Sequence, residues 1–304
     1  MRLAFVVQRY GLEVNGGSEL LCRQVAEHLA AHDSVVILTT CAQDYTTWEN
    51  VYPPGLDEVN GIQVQRFPVL QVRDPDFGAL SAKLYSQPHS LEDEFAWLNA
   101  QGPLAPDLLR HLVQNHLAYD AFIFFTYIYY PTALGVRLVA DRAVMVPTAH
   151  DEPPLYFKMF RALFNAPRAL IYNTQAEKET VEDLFEVDYI PNDVAGVGID
   201  VPSDVSADRF RQKYQLQTDY VLYVGRVSHS KNCAELIENF VKYKASTPSP
   251  LKLVLIGHAE FPLPDHPDIL PLGFVSDEDK FDALAGATVY VHPSKLESLT
   301  NIIL

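Results

Sequence analysis

Residues 220–243 read YVLYVGRVSHSKNCAELIENFVKY, and this stretch sets the fold class of the chain. Its first five residues are an unbroken apolar and aromatic run, which predicts a buried strand over Tyr220–Val224. A loop follows that contains Gly225-Arg226 and Lys231-Asn232, and a helical pattern then covers Ala234–Tyr243. A continuous apolar strand followed by a helix is typical of a parallel sheet covered on both faces.

The same alternation extends on both sides of this stretch. It predicts a first strand over Leu3–Val7 followed by a helix, and a last strand over Thr288–Val291. Residues 70–103 interrupt the pattern with prolines and acids, so we expect a loop with short helices there. The polar stretch 202–206 is typical of a domain linker. The sequence therefore predicts an α/β protein with two Rossmann-like domains, residues 1–202 and 203–304, whose parallel sheets face a cleft.

Composition and charge exclude several classes of protein. The 304 residues suffice for two domains, and 48% of them are apolar, which excludes wholesale disorder. Lys and Arg total 23 against 39 Asp and Glu, a formal net charge of −16. So acidic a chain with no basic run does not suit general nucleic-acid binding or tight attachment to anionic lipid. No apolar stretch approaches the ~20 residues of a membrane helix. With three scattered cysteines, we expect a soluble cytoplasmic protein, with peripheral membrane contact left open.

Gly16-Gly17-Ser18-Glu19 separates the first predicted strand from the first helix. Glycines let a ligand approach the backbone closely, and the helix N-terminus offers free N–H groups and partial positive charge. The loop therefore suits a phosphate. The alternative is that the glycines serve turn geometry and that Ser18 or Glu19 caps the helix. The spacing is not GxGxxG, so a dinucleotide-dependent dehydrogenase loses its main support.

Arg226 and Lys231 follow the strand of the second predicted domain, at the end where open α/β sheets bind ligands. A guanidinium and an ammonium five residues apart can converge on one anionic group, and a diphosphate is a reasonable ligand for them. The alternative is two solvated loop cations. Further on, Pro293-Ser294 and Glu297 follow another strand. Glu297 could accept hydrogen bonds from sugar hydroxyls or simply complement the dipole of a helix.

Together these segments resemble the glycosyltransferases of family 4. Gly-Gly-x-Glu after the first strand, Gly-Arg-x4-Lys-Asn opening the second domain and Pro-Ser-x-x-Glu after a later strand occur in the family's order. Gly198-Ile199-Asp200, residues 272–276 (LGFVS) and His150-Asp151 add to the likeness. The resemblance covers essentially the whole chain and implies the GT-B fold.

The resemblance also implies roles for particular residues. Arg226 and Lys231 would neutralise the diphosphate leaving group in place of a metal ion, and His150 would face the reacting centre and orient a sugar hydroxyl. Glu297 would be the first carboxylate of the family's Glu-x7-Glu pair and contact the transferred sugar. The remaining donor-binding residues would be Gly16, Gly17, Ser298, Leu299 and Thr300. The first domain would hold the acceptor and the second the nucleotide sugar.

The chain departs from the family pattern at several positions. Val197 stands where the family usually has Asn, Ala259 replaces the second glycine of a Gly-x-Gly, and Ser298 follows Glu297 where glycine is common. The second glutamate of the pair would be residue 305, one beyond Leu304. We therefore expect the chain to be a fragment of a longer protein, with an incomplete second domain and little activity of its own.

The resemblance implies a specific reaction. We expect transfer of a hexosyl group from a UDP-, GDP- or ADP-sugar to a hydroxyl acceptor (a glycan, a lipid-linked sugar or a small molecule), with retention and without a cofactor or metal. Asp74-Pro75-Asp76 has a metal-binding form, but it lies in a proline-rich loop and we expect no metal there. The alternatives are a nucleotide-sugar epimerase of the same fold and a non-catalytic nucleotide-sugar-binding module.

Overall fold

A computed structural model describes residues 1–14, 16–198 and 201–295 of the chain. These residues form two compact units, the first ending at Val197 and the second beginning at Gly198. Within the described residues, no helix is both long and apolar enough to cross a bilayer.

The first unit is built on an eight-stranded sheet with the order β3-β4-β2-β1-β5-β6-β7-β8. Every neighbouring pair is parallel except β3 and β4, which are antiparallel. The strands are β1 (Arg2–Val6), β2 (Ser34–Thr40), β3 (Gly55–Val59), β4 (Ile62–Phe67), β5 (Ala121–Phe125), β6 (Ala143–Val146), β7 (Ala169–Tyr172) and β8 (Asn192–Val194).

Helices cover both faces of this sheet. Because successive strand residues point to opposite faces, Phe5 of β1 packs with Leu21 of α1, whereas Ala4 packs in the larger core on the other face. The helices are α1 (Gly17–Ala30), α2 (Phe77–Ser86), α3 (Leu91–Gln101), α4 (Pro106–Gln114), α5 (Tyr130–Leu138), α6 (Lys158–Phe164) and α7 (Gln175–Phe185). A short 3-10 helix, Pro153–Tyr156, precedes α6.

The second unit has a four-stranded sheet with the order β11-β10-β9-β12, and all its neighbouring strands are parallel. Tyr223 packs with Ile237 of α9 on one face, and Leu222 packs with Phe210 of α8 on the other. The elements are β9 (Tyr220–Val224), β10 (Lys252–Ile256), β11 (Ile269–Gly273), β12 (Val289–Tyr290), α8 (Ala207–Lys213), α9 (Cys233–Ser246) and α10 (Asp277–Gly286).

The predicted α/β class with parallel sheets is confirmed. The strand predicted over Tyr220–Val224 has the predicted bounds. One antiparallel edge strand, β3, was not predicted, because its sequence GLDEV has two adjacent acids at its centre and no continuous apolar run. Residues 70–103 contain two helices of 10 and 11 residues, α2 and α3, and these are longer than the short helices expected.

Candidate functional site

The loop after β1 is organised by a buried ion pair between Arg9 and Glu19. Arg9 Nε donates to Glu19 Oε1 at 2.8 Å, and both side chains are almost fully buried. Glu19 lies in the first turn of α1, where its carboxylate also accepts from Ser18 Oγ at 2.9 Å. The pair ties the end of the central strand to the beginning of the helix that follows it.

The two glycines at the beginning of α1, the N-cap Gly16 and the first helical residue Gly17, have different surroundings. A Cβ atom on Gly16 would lie 2.2 Å from Glu19 Oε2 and 3.0 Å from Arg9 Nη2, so the ion pair requires glycine there. A Cβ on Gly17 would meet no described atom within 4 Å. Among the described residues, no side chain caps this helix. The N-terminus of α1 therefore has open space at Gly17, as a bound anion would need. Gly16, in contrast, is required by the Arg9–Glu19 ion pair.

In the second unit, three neighbouring strands end at glycines with positive φ. Gly225 follows β9 (φ +147°), Gly257 follows β10 (φ +127°) and Gly273 ends β11 (φ +67°). A Cβ on Gly257 would lie 2.0 Å from the carbonyl oxygen of Gly225. These glycines let the loops pass one another closely, since only glycine combines this conformation with such an approach.

Arg226 and Lys231 both lie in the loop between β9 and α9. Their carbonyl oxygens are each 3.8 Å from the buried Sγ of Cys233, so this thiol contacts the loop at both residues. The Arg226 side chain is 42% exposed, and its Nη1 lies 3.4 Å from Glu260 Oε1. Lys231 is half-buried. The predicted pair thus lies in one loop. The ion pair between Arg226 and Glu260 was not predicted.

The N-terminus of α9 opens on the same loop. Its N-cap is Asn232 in the left-handed conformation (φ +58°), and no side chain caps the helix. The Asn232 amide donates to Glu235 Oε2 at 2.7 Å instead. The N-terminus of a 14-residue helix therefore lies beside Arg226 and Lys231 and adds to the positive potential, although its first N–H, that of Cys233, donates to Ser228 O at 3.2 Å.

His150 lies beyond the carboxyl end of β6 in the first unit, and its partner is Glu152. His150 Nε2 is 3.5 Å from Glu152 Oε2, and Tyr127 Oη donates to Glu152 Oε1 at 2.8 Å. Burial raises the pKa of the Glu152 carboxyl, and Tyr127 is fully buried. The histidine is therefore held by a carboxylate that is itself oriented from the end of β5. Neither Glu152 nor Tyr127 was predicted from the sequence, because neither belongs to a motif.

Glu177 of α7 supports the same loop from another side. Its carboxylate accepts from the backbone N–H of Ala149 and from that of Asn173, both at 2.7 Å. Burial raises the pKa of Glu177 to about 7, although these hydrogen bonds favour the ionised form. Thr174 caps α7 by accepting from Glu177 N at 3.0 Å. The Thr-x-x-Glu spacing of a capping box was the available signal for this residue.

The other predicted residues have simpler outcomes. Glu297, Ser298, Leu299 and Thr300 lie outside the described residues, as do Ile199 and Asp200. Asp74 and Asp76 form the turn that begins α2, since Asp76 N donates to Asp74 Oδ1 at 2.8 Å and Asp76 is the N-cap. In the described part of the chain, no three His, Cys, Asp or Glu side chains come together in a group that could hold a metal ion.

Comparison with known proteins assigns a family to one segment of the chain. Residues 204–301 match the profile of the family described as "Glycosyl transferases group 1". This segment is a group 1 glycosyltransferase domain. The enzyme class that the sequence predicted, a glycosyltransferase, is therefore confirmed. No curated protein is recognisably similar in sequence.

Solved structures share the fold of this glycosyltransferase over nearly its whole length. The E. coli trehalose-6-phosphate protein bound with UDP-2-fluoro glucose has a TM-score of 0.64 at 13% identity, covering 99% of this chain and 80% of its own. Anabaena HepE in complex with UDP and glucose has 0.62 at 19%, covering 100% and 77%. WaaG, a glycosyltransferase involved in lipopolysaccharide biosynthesis, has 0.62 at 15%, covering 99% and 77%. The GT-B fold is confirmed; at these identities the likeness shows the fold alone.

Proposed function

We propose that this glycosyltransferase transfers a hexosyl group from a nucleotide-diphosphate sugar to a hydroxyl acceptor, with retention of configuration and without a metal ion. The observation that carries the proposal is the loop between β9 and α9. It presents Arg226, Lys231 and the N-terminus of α9, which none of the described side chains caps, at the carboxyl edge of a parallel sheet. Two related folds were solved with UDP or a UDP-sugar bound, so UDP-glucose is the first donor to test.

The diphosphate is the leaving group, and the loop is suited to hold it. Charge develops on the bridging oxygen as the sugar–phosphate bond breaks, and preformed cationic donors stabilise that charge in the transition state. Arg226 is already held near its working position by Glu260. Since so exposed an ion pair is worth only about 0–1 kcal/mol, a diphosphate can displace Glu260 at little expense. Gly16 and Gly17 stay predicted donor contacts, and the open space at Gly17 supports that part.

His150 is the proposed positioning group for the transferred sugar. Its ring is 37% exposed, so one face remains available to a ligand, while Glu152 holds Nε2. The ionised Glu152 carboxylate would favour a hydrogen on that nitrogen and fix the ring orientation. Glu297, with Ser298, Leu299 and Thr300, stays a predicted contact to the sugar and donor.

Product analysis distinguishes the proposed reaction from its alternatives. The full-length protein is incubated with UDP-glucose in the presence and absence of candidate sugar acceptors, and the products are followed by proton NMR. A new α-glycosidic signal that appears only with acceptor supports retaining transfer. A β-linked product contradicts retention. A changed UDP-sugar without acceptor indicates an epimerase, and saturable UDP binding with no turnover indicates a binding module.

A further inference from the structure

Arg73 lies in the segment between β4 and α2, packed between two aromatic rings. Its guanidinium carbon is 5.3 Å from the centre of the Trp48 ring and 4.7 Å from that of Phe77. Its backbone N–H donates to Thr47 O at 2.7 Å, which ties it to the loop after β2. Nη2 donates to the carbonyl oxygen of Gln101 at 3.1 Å and to its Oε1 at 2.8 Å. The side chain is therefore held in one place, half out of water.

Arg73 differs from the two buried arginines of the first unit in having no carboxylate. Arg9 pairs with Glu19, and Arg66 pairs with Asp57 at 2.7 Å. Among the described residues, no acid lies within ion-pair distance of Arg73, and its Nε is buried without a hydrogen-bond partner. Burial lowers the pKa of Arg73, although Asp44 and nearby tyrosines oppose this from a distance. In a chain with a net charge of −16, a preformed cation without an acid partner suits an anion from outside.

Arg73 is also on the edge of the sheet where His150 lies. Tyr45 follows β2 and Tyr129 follows β5, and both are close enough to Arg73 to interact electrostatically with it. Tyr85 of α2 interacts in this way with Arg73 and also with Glu152, the partner of His150. The guanidinium and the partner of His150 thus interact electrostatically with the same tyrosine, all within the first unit.

We propose that Arg73 recognises an anionic group, a phosphate or a carboxylate, on the sugar acceptor. This inference rests on the proposed function, in which the first unit holds the acceptor. Nη2 already donates twice to Gln101 and Nε is buried, so Nη1, which has no partner among the described residues, is the nitrogen that can donate a charge-assisted hydrogen bond to either group. The surrounding rings offer an apolar surface to the rest of the acceptor, as is usual in small-molecule sites.

Three sugars that differ in the group at C6, a phosphate, a carboxylate or a hydroxyl, test the inference on the full 304-residue chain. Glucose 6-phosphate, glucuronate and glucose are titrated separately by calorimetry, and UDP is titrated as an independent reference. We expect saturable binding of at least one anionic sugar, at least about tenfold tighter than binding of glucose. Arg73→Met should remove that difference and leave UDP affinity unchanged. Arg110→Met is the control, since Arg110 is an exposed arginine of α4 paired with Asp107.

The outcomes separate this inference from the proposed function. UDP binding together with equal affinities for the three sugars overturns the anion site and leaves the transferase proposal standing. Anion preference that depends on Arg73 without any UDP binding supports the site and contradicts the transferase. If Arg73→Met does not fold, phenylglyoxal labelling of the wild-type chain decides by peptide mass spectrometry. Protection of Arg73 by the anionic sugars but not by glucose supports the site, and equal labelling in all three overturns it.

Discussion

At the scale of single residues, the donor loop of the second unit gives the most direct test. If Arg226 and Lys231 bind the diphosphate, replacing either by Ala should weaken UDP binding by about 1.5–3 kcal/mol, the range for charged hydrogen bonds. Uridine binding should barely change, because it lacks the phosphates. Calorimetric titration of both ligands measures this, and Lys242→Ala is the control on the exposed face of α9. Equal losses for UDP and uridine would contradict the assignment.

Gly16 and Gly17 form a matched pair, since they are adjacent and differ in their surroundings. Gly16→Ala should destabilise the fold by about 1–3 kcal/mol, because the new methyl group pushes the Glu19 carboxylate away from Arg9. Gly17→Ala should be neutral or stabilise the fold slightly, by up to about 1 kcal/mol. Urea unfolding of both variants gives the comparison. Similar midpoints for the two would show that the buried ion pair does not require glycine.

His150 has a role in turnover that can be separated from binding. His150→Ala should lower turnover by at least about tenfold, as for other positioned polar groups, with nearly unchanged UDP affinity. His116→Ala is the control. His116 pairs with Asp141 where β5 and β6 begin, at the amino ends of the strands, away from any predicted site residue. Undiminished turnover in His150→Ala would leave the residue with a structural part only.

At the scale of elements, α7 is joined to the loop after β6 by one buried carboxylate. The pKa of Glu177 is raised to about 7 by burial, so the folded state binds a proton there that the unfolded state, with an ordinary pKa of 4.5, releases earlier. This contribution to stability is fully present below pH 4.5 and is lost as pH rises through about 7. At about 1.4 kcal/mol per pKa unit, it amounts to about 3 kcal/mol at most.

Glu177→Gln tests this contribution because the amide does not titrate. The free energy of unfolding of wild type relative to Glu177→Gln should be most favourable near pH 5 and should fall by about 2–3 kcal/mol by pH 8. Urea unfolding at several pH values measures it. Glu179→Gln serves as the control, since Glu179 is on the same helix and exposed. A relative stability that is flat or rises with pH would contradict the raised pKa.

Elements also show where local sequence was sufficient and where it was not. Asn60-Gly61 joins β3 to β4, and both residues have positive φ (50° and 78°). Asn-Gly between two runs is the strongest short hairpin signal, so β3 was predictable from its turn despite its acidic residues. In contrast, the short helices expected within 70–103 are two longer ones, and Trp97 of α3 is fully buried against Phe157, sixty residues away. No local pattern reports such a contact.

At the scale of the whole molecule, the charge distribution leads to a prediction about metals. The overall chain is strongly acidic, yet the proposed diphosphate site is cationic, so protein side chains supply the charge that a divalent ion would otherwise supply. Transfer from UDP-glucose by the full-length protein should therefore survive excess EDTA, with a rate within about twofold of that without chelator. Loss of a catalytic metal would remove several kcal/mol of transition-state stabilisation and would lower the rate far more. A strict requirement for Mg²⁺ or Mn²⁺ would contradict metal independence.

The sequence by itself determined the alternation of strands and helices, the parallel sheets and the loop that carries Arg226 and Lys231. It could do so because a strand buried on both faces needs a continuous apolar run such as Tyr220–Val224, and because the ligand edge of a parallel sheet follows from strand direction. Both are properties of consecutive residues.

Only the tertiary structure decided which side chains support the site. Glu177 reaches the amide of Ala149 because α7 packs beside the end of β6, and Tyr127 reaches Glu152 across two neighbouring strands. Arg73 has no carboxylate because none of the elements around it brings one within ion-pair distance in the described part of the chain. Such contacts join residues far apart in sequence, and they depend on packing geometry that residue type and spacing do not encode.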